Sequence, residues 1–191
     1  MDDKSLIRKF SEGDQQAVRL LIENNRNLVW HIIASMVGNS NERDDLFQEV
    51  FLRVVKGLRS FREDSRLSTW IGSITHHVCV DHLRKKKREM NIYSYDDDIK
   101  KVSNIQTGST GNIAEKEDLN KFILEAITKL PADFRMVITL YHMDECSYRD
   151  IAGITGMPDG TVKSYINRAR TMLREILVNR IPDLADIRND E

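Results

Sequence analysis

"SYRDIAGITGMPDGTVKSYINRARTMLR", residues 147–174, sets two short amphipathic segments on either side of a Gly-Met-Pro-Asp-Gly break. Ser147, followed three residues on by Asp150, has the spacing of a capping box that opens the first segment. Tyr148 to Ile154 makes barely two turns, too few to hold a helix in water, so this segment must pack on something. Gly156 supplies a sharp turn, Pro158 suits the first turn of a new helix, and that helix buries Val162, Ile166, Ala169, Leu173 and Ile176 along one side. Lys163, Asn167, Arg170 and Arg174 recur at four, three and four along another. Between Thr161 and Arg180 five basic residues meet one acid, Glu175, leaving a local charge of +4. A tight turn between two helices, the second exposing Lys, Arg, Asn, Ser and Thr, is what a helix-turn-helix needs to enter the major groove. Arg and Lys donate to guanine, Asn pairs with adenine, and hydroxyls hold phosphates. A solvated helical hairpin would share this spacing, because charged outer faces are ordinary.

Upstream of this stretch, helical spacing runs through Leu119, Phe122, Ile123, Ala126, Ile127 and Leu130, is interrupted at Pro131, and resumes with Val137, Ile138, Leu140 and Tyr141. Between Tyr93 and Ala114 the pattern disappears into a segment centred on Thr-Gly-Ser-Thr-Gly-Asn, a composition of flexible linkers. The boundary therefore falls here, with a first domain over 1–92, a linker over 93–114 and a second domain over 115–181. Such a tether spans roughly 70 Å extended and about 25 Å relaxed, so the two halves can dock at separated places.

The first half is also helical. Val18, Leu21, Ile22, Leu28, Val29, Ile32, Ile33 and Met36 recur three or four apart from Gly13 onward, and "GNSN", residues 38–41, ends that helix. Ser40 or Asn41 is expected to cap the next, whose apolar stripe is Leu46, Phe47, Val50, Phe51, Val54, Val55 and Leu58. After the polar loop "RSFREDSRLS", Ser68 is expected to cap a third helix burying Trp70, Ile71, Ile74, Val78 and Leu83 and running into "RKKKR", residues 84–88. No alternating run demands a sheet, and the fold class is all-α.

The totals narrow the function classes. With 40% hydrophobic and 31% charged residues in 191, the chain has the composition of a globular protein. Its formal net charge of -1 removes any bulk argument for nucleic-acid binding, so the local basic face must carry one. Two cysteines make no disulfide framework, and with no secretory signal in "MDDKSLIRKF" a cytoplasmic location is expected. The longest apolar run, Leu28 to Val37, is far shorter than the roughly 20 residues that cross a bilayer, so no membrane insertion is expected. A Gly-rich phosphate loop, a serine nucleophile elbow and a His-Glu-x-x-His pair are all missing, so neither an enzyme nor a cofactor is expected. "HHVCVDH", residues 76–82, invites a metal reading, but on a helix no three of its ligands share a face, and no metal is assigned.

Together with the preceding "LPADFRMVITLYHMDECS", the opening stretch resembles the promoter-reading C-terminal domain of the extracytoplasmic-function bacterial sigma factors. "DDLFQEVFLRVVKGLRSFREDSRLSTWIGSITHHVCVDHLRKKKR", residues 44–88, is similar to the first domain of that family. The resemblance implies two helical domains on a tether, binding core RNA polymerase at its clamp region, promoter DNA, and an anti-sigma factor. It implies contacts to the minus-thirty-five element by Thr161, Lys163, Ser164, Asn167, Arg168, Arg170 and Arg174. For recognition and melting of the minus-ten element it implies Phe61, Arg62, Arg66, Trp70, His77 and the run Arg84, Lys85, Lys86, Lys87 and Arg88. Stacking on aromatics and a basic track suit an unpaired strand, although Trp70 in register with Ile74 also reads as core. The family commonly has Asn where this chain has His77, which changes the base contact expected there. Asp45, Gln48, Glu49 and Phe51 match the polymerase-docking motif. An ordinary transcriptional regulator is the rival reading; it would bind its operator unaided, whereas a sigma factor depends on core polymerase.

Overall fold

In the computed structural model, which describes residues 3–37, 41–93 and 117–178, all regular secondary structure is helical. The first helix, α1 (Asp3–Ser11), is one the spacing argument did not foresee, since its only buried side chain is Leu6. Gly13 then turns the chain at φ +84°, and Asp14 Oδ1 accepts the Gln16 N–H at 2.8 Å to open α2 (Gln15–Val37). The helix α3 (Arg43–Gly57) carries Asp44 and Asp45 in its first turn, where the helix dipole favours them. Its capping residue is Glu42, without a side-chain cap bond, rather than Asn41; Ser40 lies outside the described residues.

A 3-10 turn, Leu58–Ser60, leads through the polar loop to α4 (Leu67–Tyr93). Ser68 falls inside this helix instead of capping it. The acceptor for the first-turn N–H of Leu67 comes from Asp3 of α1 at 3.4 Å, a residue 64 positions away that local spacing could not reveal. Apart from Tyr93, which ends α4, the expected linker 93–114 lies outside the described residues. The second half comprises α5 (Glu117–Thr128), α6 (Ala132–His142) after Pro131, α7 (Tyr148–Thr155) and α8 (Asp159–Val178).

Two apolar clusters hold these helices. The first joins Leu21, Val29 and Ile33 of α2 to Val50, Phe51 and Val54 of α3 and to Ile71, Val78 and Cys79 of α4. Trp70 and Ile74 pack half-buried at its edge, and Leu83, expected inside, is 38% exposed. The second gathers Leu130, Met136, Val137, Ile151, Ile154, Val162 and Ile166, and Leu28 and Ile32 of α2 belong to it. Adjacent pairs, Leu28 with Val29 and Ile32 with Ile33, thus face different clusters, which gives α2 an apolar arc wide enough to be buried on two sides. The halves consequently pack against each other, α2 on α6 and α4 on α7. No described helix is long and apolar enough to cross a membrane.

Candidate nucleic-acid interface

The α7–α8 pair is built as its sequence implied. Asp150 N–H donates to Ser147 Oγ at 3.1 Å while Ser147 N–H donates to Asp150 Oδ2 at 3.1 Å, completing the capping box. Gly156 stands at φ +74° and donates to the Ala152 carbonyl at 2.8 Å, a left-handed cap in which a side chain would be strained. Val162, Ile166 and Ala169 are fully buried, with Leu173 and Ile176 half-buried beside them. This burial turns Lys163, Ser164, Asn167, Arg168, Arg170 and Arg174 outward, all exposed, with Thr161 half-exposed at the start of α8.

These outward groups are not equivalent. Ser164 Oγ donates to the Thr161 carbonyl at 2.8 Å, which holds this hydroxyl against the helix backbone. Arg170 lies with its guanidinium carbon 5.3 Å from the Tyr141 ring centroid and its Nε 3.4 Å from His142 Nε2. Burial, and after it the Arg170 charge, pushes His142 below its ordinary value, which keeps this nitrogen free to accept. Arg170 is thereby anchored to α6, while Lys163 and Asn167 project without such a tether.

Asp150 has a second role at the α4–α7 contact. Its Oδ1 accepts from the Thr69 hydroxyl at 2.8 Å, and Arg66 lies 3.6 Å from Oδ2. Burial alone would raise this carboxyl, but hydrogen bonds from Ser147 and Thr69 and the charge of Arg66 outweigh it and hold the group below its ordinary 3.8. A depressed carboxyl stabilises the fold fully above the unfolded-state value and loses that contribution as pH falls through the folded-state value. Urea unfolding of the wild type should therefore weaken below about pH 4, and Asp150→Asn should flatten that acid limb while lowering stability at neutral pH by about 1 kcal/mol through loss of the cap.

The residues expected at the minus-ten element are strung along the loop before α4 and along α4 itself. Phe61 and Trp70 have ring centroids 5.2 Å apart, and Trp70 lies so close to α3 that a Cβ on Gly57 would sit 3.3 Å from its ring. Trp70 is half-buried on the first core, so the stacking and the core readings describe one side chain. Arg62 is exposed, whereas Arg66 turns towards Asp150. His77 is exposed and its Nδ1–H donates to the Ser73 carbonyl at 2.7 Å, which in the neutral ring leaves Nε2 outward as an acceptor. The run Arg84 to Arg88 is exposed but not uniform: Lys86 pairs with Glu42 of the α3 cap at 2.8 Å, Lys85 lies 3.9 Å from Glu89, and Arg88 Nε donates to the Arg84 carbonyl at 3.4 Å.

On α3, Asp45 and Gln48 are exposed, and Glu49 accepts from Arg53 Nε at 2.7 Å, with Arg53 reaching on to Asp81 of α4 at 3.6 Å. Phe51 matches the docking motif and also falls on the apolar stripe of α3. It is 6% exposed and stacks 4.9 Å from Phe47, so it holds the core. Leu52, unassigned in the sequence, is 55% exposed and set one turn from Gln48 and two from Asp45. Its signal was present in the sequence, since an apolar residue out of register with the stripe Val50, Phe51, Val54 has to face away from the core. Among the described residues no three His, Cys, Asp or Glu side chains are grouped to hold a metal.

Comparison with known proteins bears on this geometry. Residues 21–89 match sigma-70 region 2 and residues 123–173 match sigma-70 region 4. The chain is 31% identical to the ECF RNA polymerase sigma factor SigW of Bacillus subtilis, covering 91% of this chain and 96% of SigW. It is 32% identical to the ECF RNA polymerase sigma-E factor of Escherichia coli, covering 96% of each. Its fold is similar to the sigma factor RpoE of Bartonella quintana, crystallised with the anti-sigma factor NepR, with a TM-score of 0.62 at 27% identity over 85% of this chain and 95% of that one. A similar fold, with a TM-score of 0.62 at 20% identity, is seen in CnrH in complex with the cytosolic domain of CnrY. A non-catalytic helical protein with both sigma regions in order, related over nearly its whole length to SigW and sigma-E, belongs to the ECF RNA polymerase sigma factors.

Proposed function

We propose that this protein binds core RNA polymerase at the clamp region through the α3 face of Asp45, Gln48 and Leu52, and supplies promoter choice to an enzyme that has none. The observation that carries the reading is the exposed polar face of α8 on a capped helix-turn-helix, placed in a chain that matches both sigma regions in order. Lys163, Ser164 and Asn167 select bases at the minus-thirty-five element, while Thr161, Arg168, Arg170 and Arg174 hold phosphates. Phe61, Trp70 and His77 receive unstacked bases of the minus-ten element, and Arg62, Arg66 and the Arg84 to Arg88 run follow the backbone of the separated strand. An anti-sigma factor restrains the protein, a reading supported by the similar RpoE of Bartonella quintana, which was crystallised with the anti-sigma factor NepR.

The test is reconstitution. Purified protein added to core polymerase should direct run-off transcription from promoters selected in the same mixture, and bind those promoters far more weakly alone. Tight unaided binding with no transcription would establish the rival regulator. Within the assay, Asn167→Ala should reduce transcription on promoters with one base at a single minus-thirty-five position by about tenfold and spare others, as expected for a lost pairing of roughly 1–3 kcal/mol. Arg168→Ala should act evenly across promoters and lower the salt dependence of binding.

A further inference from the structure

We propose that His142 of α6 is a further phosphate-binding residue of this protein, holding one backbone phosphate of duplex DNA together with Arg170 and taking up a proton from solvent as it does so. The proposal rests on the phosphate role just given to Arg170 and Arg174.

Helix packing supplies the geometry. His142 ends α6, and the C-terminal half of α8 runs past it, so that His142, Arg170 and Arg174 rim one hollow of about 510 Å³ with Ile138 and Leu173 in its apolar floor. No carboxylate lines this hollow among the described residues. Arg170 Nε and Nη2 each lie 3.4 Å from His142 Nε2, so an oxygen held by the guanidinium comes within reach of the imidazole as well. Arg170 stays in place without the imidazole, because its guanidinium carbon also lies 5.3 Å from the Tyr141 ring centroid, and Tyr141 is stacked on Tyr148 of α7 at 5.3 Å. A guanidinium carries five N–H donors, and contact with a ring face consumes none of them, so all remain for an anion.

In the free protein this rim holds cations with no anion. The charged and titratable groups around His142 are Arg170 and Arg174 of α8, Tyr141 beside it on α6 with ring centroids 4.9 Å apart, and Tyr148 beyond Tyr141, while α5 presents Ile123 and Ile127. Asp144, two residues on, is committed elsewhere: its carboxylate accepts from His31 Nδ1–H at 2.9 and 3.0 Å, and its side chain is 8% exposed. Glu145 is exposed in the loop beyond, at φ +52°. Burial, and after it the Arg170 charge, holds the imidazole below its ordinary value, so the ring is neutral and Nε2 accepts from Arg170.

A phosphate reverses this balance. Its negative charge offsets Arg170 and favours the imidazolium, which turns Nε2 from an acceptor of Arg170 into a donor to a phosphate oxygen, while Arg170 redirects its N–H groups to the same phosphate. Two charged donors from different helices then fix one phosphate. Binding therefore raises the pH at which the ring titrates, and by reciprocity protonation strengthens binding. Affinity should climb as pH falls through the bound-state value and level off below the free-state value.

The test uses the full-length chain bound to core polymerase, with promoter affinity measured from about pH 8 down to about pH 6, the range in which histidine changes charge. Over that range wild-type affinity should rise roughly fivefold more than that of His142→Gln, which keeps an acceptor for Arg170 but cannot become charged. The wild-type salt dependence should be steeper at the acid end. His142→Arg, charged throughout, should show at about pH 8 the affinity that wild type reaches only at about pH 6. His142 is exposed, so none of these changes should disturb the fold, and comparison at one position cancels the other histidines, His77 included. A residue that only positioned Arg170 by accepting from it would lose affinity on protonation. That opposite slope, or equal pH profiles in wild type and His142→Gln, would overturn the proposal. Phosphate contacts need no sequence choice, so the ring can also be titrated by nuclear magnetic resonance in the free full-length chain, with and without an excess of duplex of arbitrary sequence. The His142 ring should titrate at higher pH with the duplex present, and an unmoved ring would overturn the proposal as well. Failure of the polymerase complex to bind any promoter at the alkaline end would instead sink the promoter role given above, leaving the ring titration to decide this one.

Discussion

Leu52→Asp is expected to separate the protein from core polymerase while leaving its fold intact. The side chain is 55% exposed on α3, so replacing it removes little packing, and the change in stability should stay within about 0.5 kcal/mol. An exposed leucine flanked by Asp45 and Gln48 has the makeup of an interface anchor: an apolar centre with a polar rim. Placing a carboxylate at that centre would desolvate an unpaired charge on binding, and a loss of at least about 2 kcal/mol corresponds to roughly thirtyfold weaker association. Competition for core polymerase against a labelled sigma factor would measure this, with urea unfolding run in parallel. Phe51→Ala is the informative contrast. Its neighbour on the sequence is core, 6% exposed against Phe47, so that variant should lose about 3–5 kcal/mol of stability. Equal polymerase affinity in wild type and Leu52→Asp would remove the α3 face from the docking site.

Ile166→Asp should have the largest effect on the second half. Ile166 is fully buried midway along α8 in the cluster with Met136, Val137, Ile151, Ile154 and Val162. A carboxylate there has no partner, and burying it, charged or neutralised, costs more than about 4 kcal/mol. The helix-turn-helix would unfold, and transcription that depends on the minus-thirty-five element should fall by about a hundredfold or more, consistent with a free-energy loss of that size. Ile166→Val, which removes one methyl group, should cost only about 1 kcal/mol and keep promoter choice. Because Leu28 and Ile32 share the same cluster, hydrogen exchange should also rise in the middle of α2 in the aspartate variant. Full protection of α2 in the unfolded-α8 variant would show that the two halves are not coupled.

The helix-turn-helix was legible because its determinants are local. Ser147 with Asp150, Gly156, and the stripe Val162, Ile166, Ala169 all act within a few residues along one helix or turn, and the structure keeps each of them. The exposed face of α8 followed from that stripe by helical geometry. What it could not reveal was that Arg170, still exposed on that face, would lie over Tyr141, since the position of α6 depends on tertiary packing.

Caps supplied from afar show the same limit. Ser68 had the right type and neighbourhood to cap α4, yet the acceptor is Asp3, brought there by α1 packing against the rest of the first half. Phe51 carried two readings, apolar stripe and docking motif, and the fold covers it, while its neighbour Leu52, about 100° further round the helix, is left exposed.

By itself the sequence determined an all-helical chain with a capped pair of helices meeting at a glycine turn in its second half, because periodicity, caps and turns are short-range properties. Whether the two halves stand apart or meet was decided only by the folded arrangement. The apolar arc of α2, with Leu28 and Ile32 beside Val29 and Ile33, permits a second buried side but does not name what covers it. Gly72 and Gly153 acquire their meaning only when Ile154 and Thr69 come to lie opposite them, and such pairing between distant segments leaves no local pattern in the chain.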